Sequence, residues 1–151
     1  MKAIYNDGGR KESGFKGRTG DCVVRSIAIA TEKPYKEIYN DLKKYMKLNN
    51  RIKGNSPRTG VPRKVYDKYL KSLGWQWKPT MQIGSGCKVH LCAEELPPGR
   101  LIIRLSKHIT CVINGIIYDT FNPCRGATIY MENGIKRIMP ETRCVYGYYY
   151  K

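Results

Sequence analysis

The sequence predicts an α+β fold in which helices come first and an antiparallel sheet follows. Two observations carry this. Up to about residue 74, apolar residues recur at helical spacing; after Trp75, short apolar runs alternate with turn signals, among them two Asn-Gly pairs. A chain of 151 residues can bury one hydrophobic core, so residues 1–151 are expected to form a single domain.

Residues 5–21, YNDGGRKESGFKGRTGD, contain five glycines and few apolar anchors, which makes them a loop-rich approach to the first element. From Cys22 to Ala30 almost every residue is apolar or small, Arg25 and Ser26 excepted, as in a short helix buried on most sides. Asp21 is its expected N-cap. Pro34 suits the first position of a second helix, with Tyr35, Ile38, Leu42 and Tyr45 on one face and Lys36, Lys43, Lys44 and Lys47 toward water. A polar loop is expected over 49–61. A third helix then runs from Pro62, with Val65, Tyr69 and Leu73 on one face, and stops at Gly74. Trp75 and Trp77 alternate along a strand and so share a face, which favours a role in the core. In GRLIIRLSKHITCVINGIIYDTF the apolar runs break at Ser106-Lys107 and at Asn114-Gly115, and the latter is a strong hairpin signal. Asn133-Gly134 repeats that signal between ATIYM and IKRIM, and the closing VYGYYYK is β-prone.

Twenty-eight Lys and Arg oppose twelve Asp and Glu, for a formal charge of +16. Such a balance attracts polyanions, but no zinc-finger, RNP or helix-turn-helix signature accompanies it, so weak, non-specific nucleic-acid binding is expected. No apolar run approaches the ~18 residues of a membrane span, and the opening MKAIYNDGGRK lacks the apolar centre of an export signal. A cytoplasmic protein with no membrane partner is the expectation. On that ground the six cysteines, at 22, 87, 92, 111, 124 and 144, are expected to be free thiols. Cys87, His90 and Cys92 form CKVHLC, whose C-x2-H-x-C spacing lacks a nearby fourth zinc ligand, so neither a metal nor a cofactor is expected.

Cys22 follows the cap candidate directly, at a helix start where unpaired N–H groups favour a thiolate. It equally suits an apolar helix as a small core residue. A nucleophile needs a base, and His108 stands at the start of a strand whose hairpin partner ends at Asp119, so the two side chains can meet. His90 is the competing base, with no acidic partner across a predicted turn; Asn122, just before Pro123, is the alternative orienting group.

GDCVVRSIAIA, KHITCVI and YDTFNP, in the order Cys, His, Asp, resemble the nucleophile segment, histidine strand and orienting acid of the papain-like cysteine peptidase superfamily. GDCVVRSIA is similar to the cysteine motif of ovarian-tumour-type deubiquitinases. The histidine strand and following aspartate look more like those of bacteriocin-leader-processing peptidases, and the chain is similar in style to small proteins encoded by phages and mobile elements. The resemblance implies one papain-like domain over 1–151, with the nucleophile on a central helix packed on a C-terminal antiparallel sheet. It implies a thiol hydrolase acting on a peptide or isopeptide bond, in which Cys22 is the nucleophile, His108 the acid and base, and Asp119 the orienter. Asn122 stays open in the last role, since papain pairs its histidine with an asparagine. Two departures stand out: Phe15, Lys16 and Gly17 offer no oxyanion-hole glutamine, and Thr19 stands where the ovarian-tumour pattern has an aspartate. The oxyanion would then rest on the Cys22 N–H with the side chain of Asn6 or Thr19. The alternative is a basic, non-catalytic module of the same fold, phage-encoded, that engages nucleic acid or an acidic host protein.

Overall fold

The computed structural model describes residues 1–17, 19–48 and 56–151. Pro34 and Pro62 each stand just ahead of a helix, where a missing N–H costs nothing, and the helices begin one residue after them. The described residues form α1 (Cys22–Thr31), α2 (Tyr35–Lys47) and α3 (Arg63–Ser72). The strands are β1 (Ala3–Tyr5), β2 (Gln76–Pro79), β3 (Arg100–Leu105), β4 (His108–Ile113), β5 (Ile116–Asp119), β6 (Thr128–Glu132), β7 (Ile135–Met139) and β8 (Gly147–Tyr150). Part of the polar loop expected over 49–61 falls outside the described residues.

Six strands make one sheet in the order β1-β5-β4-β3-β8-β2, antiparallel except where β1 runs parallel to β5. The fold is thus α+β, three helices on a mostly antiparallel sheet. Both Asn-Gly pairs turn hairpins with positive φ at each residue, 48° and 78° at Asn114-Gly115 and 51° and 76° at Asn133-Gly134. The second hairpin, β6–β7, is a two-stranded sheet of its own.

Alternation along the central strands sorts two cores. Ile102, Ile109, Cys111 and Tyr149 face the helices and join Val24, Ile27, Ile38, Leu42 and Leu70. Leu101, Ile103, Leu105, Val112 and Ile117 face the other way, where Leu91, Leu96 and Val145 cover them. The central strands β3 and β4 are buried on both faces, which is why their sequences read as nearly continuous apolar runs.

Four expectations need correction. Tyr5, expected in the loop-rich approach, ends β1, which pairs Ala3 with Ile117 and Tyr5 with Asp119. Asp21 immediately precedes α1 but its side chain makes no capping bond; it is turned into a buried cluster of charges. Trp75 and Trp77 both pack in or against the first core, as expected, but Trp75 precedes β2 and only Trp77 lies on it, its indole over Gly147, where an added Cβ would sit 2.4 Å from the ring. Finally, Cys87 and Cys144 form a disulfide, leaving Cys22, Cys92, Cys111 and Cys124 as free thiols. That pairing also breaks up the CKVHLC cluster.

Candidate active site

Cys22 is the first residue of α1, and α1 packs on β4, the strand that begins with His108. Ser26, one turn further along α1, donates its hydroxyl to the Ile109 carbonyl at 3.1 Å. This bond latches the helix to the strand beside the histidine and fixes the approach of thiol to imidazole.

Asp119 reaches the histidine through the hairpin register. Cys111 pairs with Tyr118, so Asp119 lies across from Thr110, two residues after His108 and on the same face of β4. The main chain of Asp119 is also held from its other side, where the Asn6 N–H donates to its carbonyl at 2.9 Å. In consequence His108 Nε2 sits 2.7 Å from Asp119 Oδ2, and the nitrogen left for the thiol is Nδ1. The Phe121 ring packs beside the imidazole, 4.9 Å between centroids, and limits its rotation.

Arg25 supports the acid. Its guanidinium is buried and donates to Asp119 Oδ1 at 3.2 Å and, through its other terminal nitrogen, to Asp21. Asp21 in turn accepts from Arg10 at 3.1 Å and from the Tyr35 hydroxyl at 2.7 Å. Gly8, at φ +68°, lets the incoming loop lie against the Arg25 backbone, where a Cβ would meet the carbonyl oxygen at 3.0 Å; this close passage brings Arg10 to Asp21. With the thiolate and imidazolium formed, Arg10, Arg25 and His108 balance Asp21, Asp119 and Cys22, so the burial of so many ions is compensated.

The electrostatics select Cys22 from the four free thiols. Burial alone would raise its pKa, but the hydrogen bond and charge of His108, the Ile109 N–H and the Arg25 charge outweigh it and hold the thiol below its ordinary range. His108 is pushed up to about 9: burial opposes its charge, and the Asp119 hydrogen bond, followed by the thiol, overcomes that opposition. Asp119 is lowered against its own burial, chiefly by His108. The other thiols move the opposite way. Burial pushes Cys111 up to about 12, burial with the Glu95 carboxylate pushes Cys92 up to about 12, and burial with Glu141 pushes Cys124 up to about 11.

Cys22 and His108 sit where two clefts join. One, of about 660 Å³, is lined by Arg10, Thr19, Arg25, Thr120 and Phe121; the other, of about 470 Å³, by Thr59, Arg63, Tyr66, Arg104 and Tyr146. Gly20, Cys22, Lys107 and His108 line both. A chain laid along the two would pass directly over the sulfur.

The remaining sequence candidates fall in different places. Thr19 is at the first cleft, and its buried hydroxyl has no hydrogen-bond partner among the described residues. Asn6 accepts from the Gly8 N–H at 2.8 Å and faces a separate cleft with Ala28 and Ile29, away from the sulfur. Asn122 is exposed and accepts from the Cys124 N–H at 3.0 Å, so it makes a local turn, and of the two candidate orienters it is Asp119 that bonds the histidine. His90 does have an acidic partner, contrary to expectation: Glu95 Oε2 lies 3.2 Å from its Nδ1 and also accepts from the Cys92 thiol at 2.8 Å. That carboxylate faces both groups, and it raises the thiol it touches. Sequence reasoning passed over Arg25, although its signal was present: it is the one charged residue in an otherwise apolar helix, four positions after an aspartate. No protein-family model, curated protein or solved structure matches the chain.

Proposed function

We propose that the chain is a papain-like thiol hydrolase that cleaves a peptide or isopeptide bond through an acyl-enzyme on Cys22. The observation that carries this reading is the placement of Cys22 at a helix start and at the junction of two clefts with His108, whose far nitrogen is held by a buried aspartate, a setting that holds this thiol below its ordinary range. In the reaction the Cys22 thiolate attacks the carbonyl carbon and the carbonyl π electrons move to oxygen. The Cys22 N–H at the start of α1 and the unpartnered Thr19 hydroxyl are the donors on hand for that oxyanion. As the tetrahedral intermediate collapses, the C–N bond breaks and the His108 imidazolium gives its proton to the departing amine. The now neutral imidazole takes a proton from water, and the resulting hydroxide attacks the thioester. The carboxylic acid leaves and thiolate and imidazolium are restored. Asp119 keeps the imidazole oriented throughout, and Arg25 holds Asp119 in place.

Brief alkylation with iodoacetamide near neutral pH, followed by mass spectrometry, tests the assignment. Cys22 is expected to label roughly tenfold or more faster than Cys92, Cys111 or Cys124. His108→Ala should remove most of that advantage, Asp119→Asn part of it, and His90→Ala none. In a second arm, a peptide mixture incubated with the protein should acquire new termini that Cys22→Ala does not produce. Uniform labelling of the four thiols, or equal effects of the two histidine variants, would overturn the nucleophile assignment. Identical peptide maps with and without Cys22 would overturn the hydrolase.

A further inference from the structure

The two clefts that meet at Cys22 differ in charge. In the first, both guanidiniums are spent on buried carboxylates, Arg10 on Asp21 and Arg25 on Asp21 and Asp119. In the second, Arg63 and Arg104, together with Lys107 at the junction of the two, have no ion-pair partner among the described residues, and no carboxylate among them lines the wall. Asp67, one turn along α3 from Arg63, is already engaged by Lys71 at 2.8 Å and by the Tyr149 hydroxyl at 2.7 Å. Two of the three cations are held in a fixed orientation by aromatic rings: Arg63 lies 4.9 Å from the Trp77 ring centroid and Arg104 5.6 Å from that of Tyr146. A guanidinium held over a ring can still offer N–H groups to an anion, and part of the entropy cost of ordering it is already met.

From this asymmetry we propose that the Arg63–Arg104–Lys107 cleft is a subsite for an acidic side chain, so that the hydrolase prefers peptides carrying Glu or Asp on one side of the bond it cleaves. The inference rests on the thiol-hydrolase reading above and gives it a substrate class. Carboxylates suit the position better than nucleic-acid phosphates. The cleft runs into the thiol and imidazole, so its occupant belongs to the molecule whose acyl carbon is attacked. A peptide carries both a carboxylate and an acyl carbon on one short chain, and a polynucleotide backbone has no acyl carbon.

Two thiol-directed reagents of equal shape test this: iodoacetyl-glutamic acid α-amide and iodoacetyl-glutamine amide, each rate at Cys22 divided by its rate with free N-acetylcysteine. The glutamate reagent is expected to be favoured roughly five- to tenfold. Arg63→Gln with Arg104→Gln should bring the preference near unity, while Lys43→Gln with Lys44→Gln, two exposed positions on α2, should leave it unchanged. A normalised ratio of one in the wild type overturns the subsite, whereas the speed of Cys22 relative to the other thiols reports separately on the nucleophile. A binding arm needs no reactive thiol. Anisotropy of fluorescein-labelled hexaglutamate with Cys22→Ala should show affinity lost in the arginine double variant and kept in the lysine one. Equal loss in both would reduce the effect to general charge. A thymidine hexanucleotide that binds more tightly than hexaglutamate, and depends on the same two arginines, would make the cleft a phosphate site and overturn the acidic-peptide assignment.

Discussion

The shifts of Cys22 and His108 are coupled, and the coupling has a measurable consequence for stability. His108 is raised from 6.5 to about 9, and taken alone would stabilise the fold below pH 6.5 and lose that effect as pH rises toward about 9. Cys22 is lowered from 9.0, and taken alone would stabilise above pH 9.0 and lose the effect as pH falls through its folded value. In the part of the range between 6.5 and about 9 that lies above the folded value of the thiol, the unfolded chain holds one proton on the thiol and the folded chain holds one on the imidazole. The proton counts match, so in this window the pair contributes no slope. Cys22→Ala breaks the match, because Asp119 still holds the imidazole protonated in the folded state. Relative to wild type, the variant is expected to lose stability as pH rises above 6.5 through that range, at up to about 1.4 kcal/mol per pH unit, until its imidazole, now raised by Asp119 without the thiol, gives up its proton. Urea unfolding at several pH values measures this; a variant-minus-wild-type difference that does not change with pH would mean that no ion pair forms. The residues of this site were unequally legible. Cys22 and His108 carry local signals, a helix start and a polar break before a strand. Arg25 carries one too, a lone charge in an apolar helix four residues after Asp21, but its role depends on Asp119, whose position relative to α1 is set only once the sheet has formed.

The elements were easier to read than their partners. Helical spacing gave the faces of α2 and α3, and Asn-Gly gave both hairpins, because each of these signals lies within one segment. β1 was illegible for the opposite reason: it is three residues long and exists by pairing with β5. The β6–β7 hairpin is legible as a turn, yet nothing in its sequence says how it is held. Its strands pair only with each other, and Ile129, Met131, Ile135 and Ile138 stay exposed. A lone two-stranded hairpin is marginal in water, so its root must be fixed. The buried Glu141 carboxylate does this by accepting from the N–H groups of Arg125, Gly126, Thr142 and Arg143, the closest at 2.6 Å. Glu141→Gln removes the charge that these four donors share on Oε1 and puts an amide against the Gly126 N–H, which also reaches Oε2. Faster hydrogen exchange over residues 125–143 is expected, equivalent to roughly 1.5–3 kcal/mol of local opening, with the rate of Cys22 alkylation unchanged. Exchange confined to its wild-type rates would show that the carboxylate is not what holds the hairpin.

At the scale of the whole molecule, the +16 charge is plain from composition, but its distribution around the site is not, since the same residue type is neutralised in one cleft and uncompensated in the other. The disulfide was hidden for a similar reason. Cysteine spacing gives no preference for joining Cys87 to Cys144, 57 residues apart, and the expectation of a reducing compartment argued against any pairing. In the fold the two segments run side by side: His90 bridges Cys144, and the Leu91 N–H donates to the Arg143 carbonyl at 2.9 Å. The link thus fastens the long connection after β2 to the approach into β8, over the sheet face opposite the helices, where Leu91 and Val145 complete the second core. A closure of this length restricts the unfolded chain by about 4 kcal/mol in the chain-entropy account. Reduction of the native protein with a phosphine should therefore lower the urea midpoint, and Cys144→Ser should reproduce the shift without a reductant. Because α1, β4 and β5 lie outside the closed loop's two anchor segments, Cys22 should keep its alkylation advantage in Cys144→Ser under conditions where the variant remains folded. An unchanged midpoint on reduction would show that the link adds nothing to stability, and loss of the Cys22 advantage in the folded variant would show that the second core, and not the Ser26 latch alone, sets the geometry of the site.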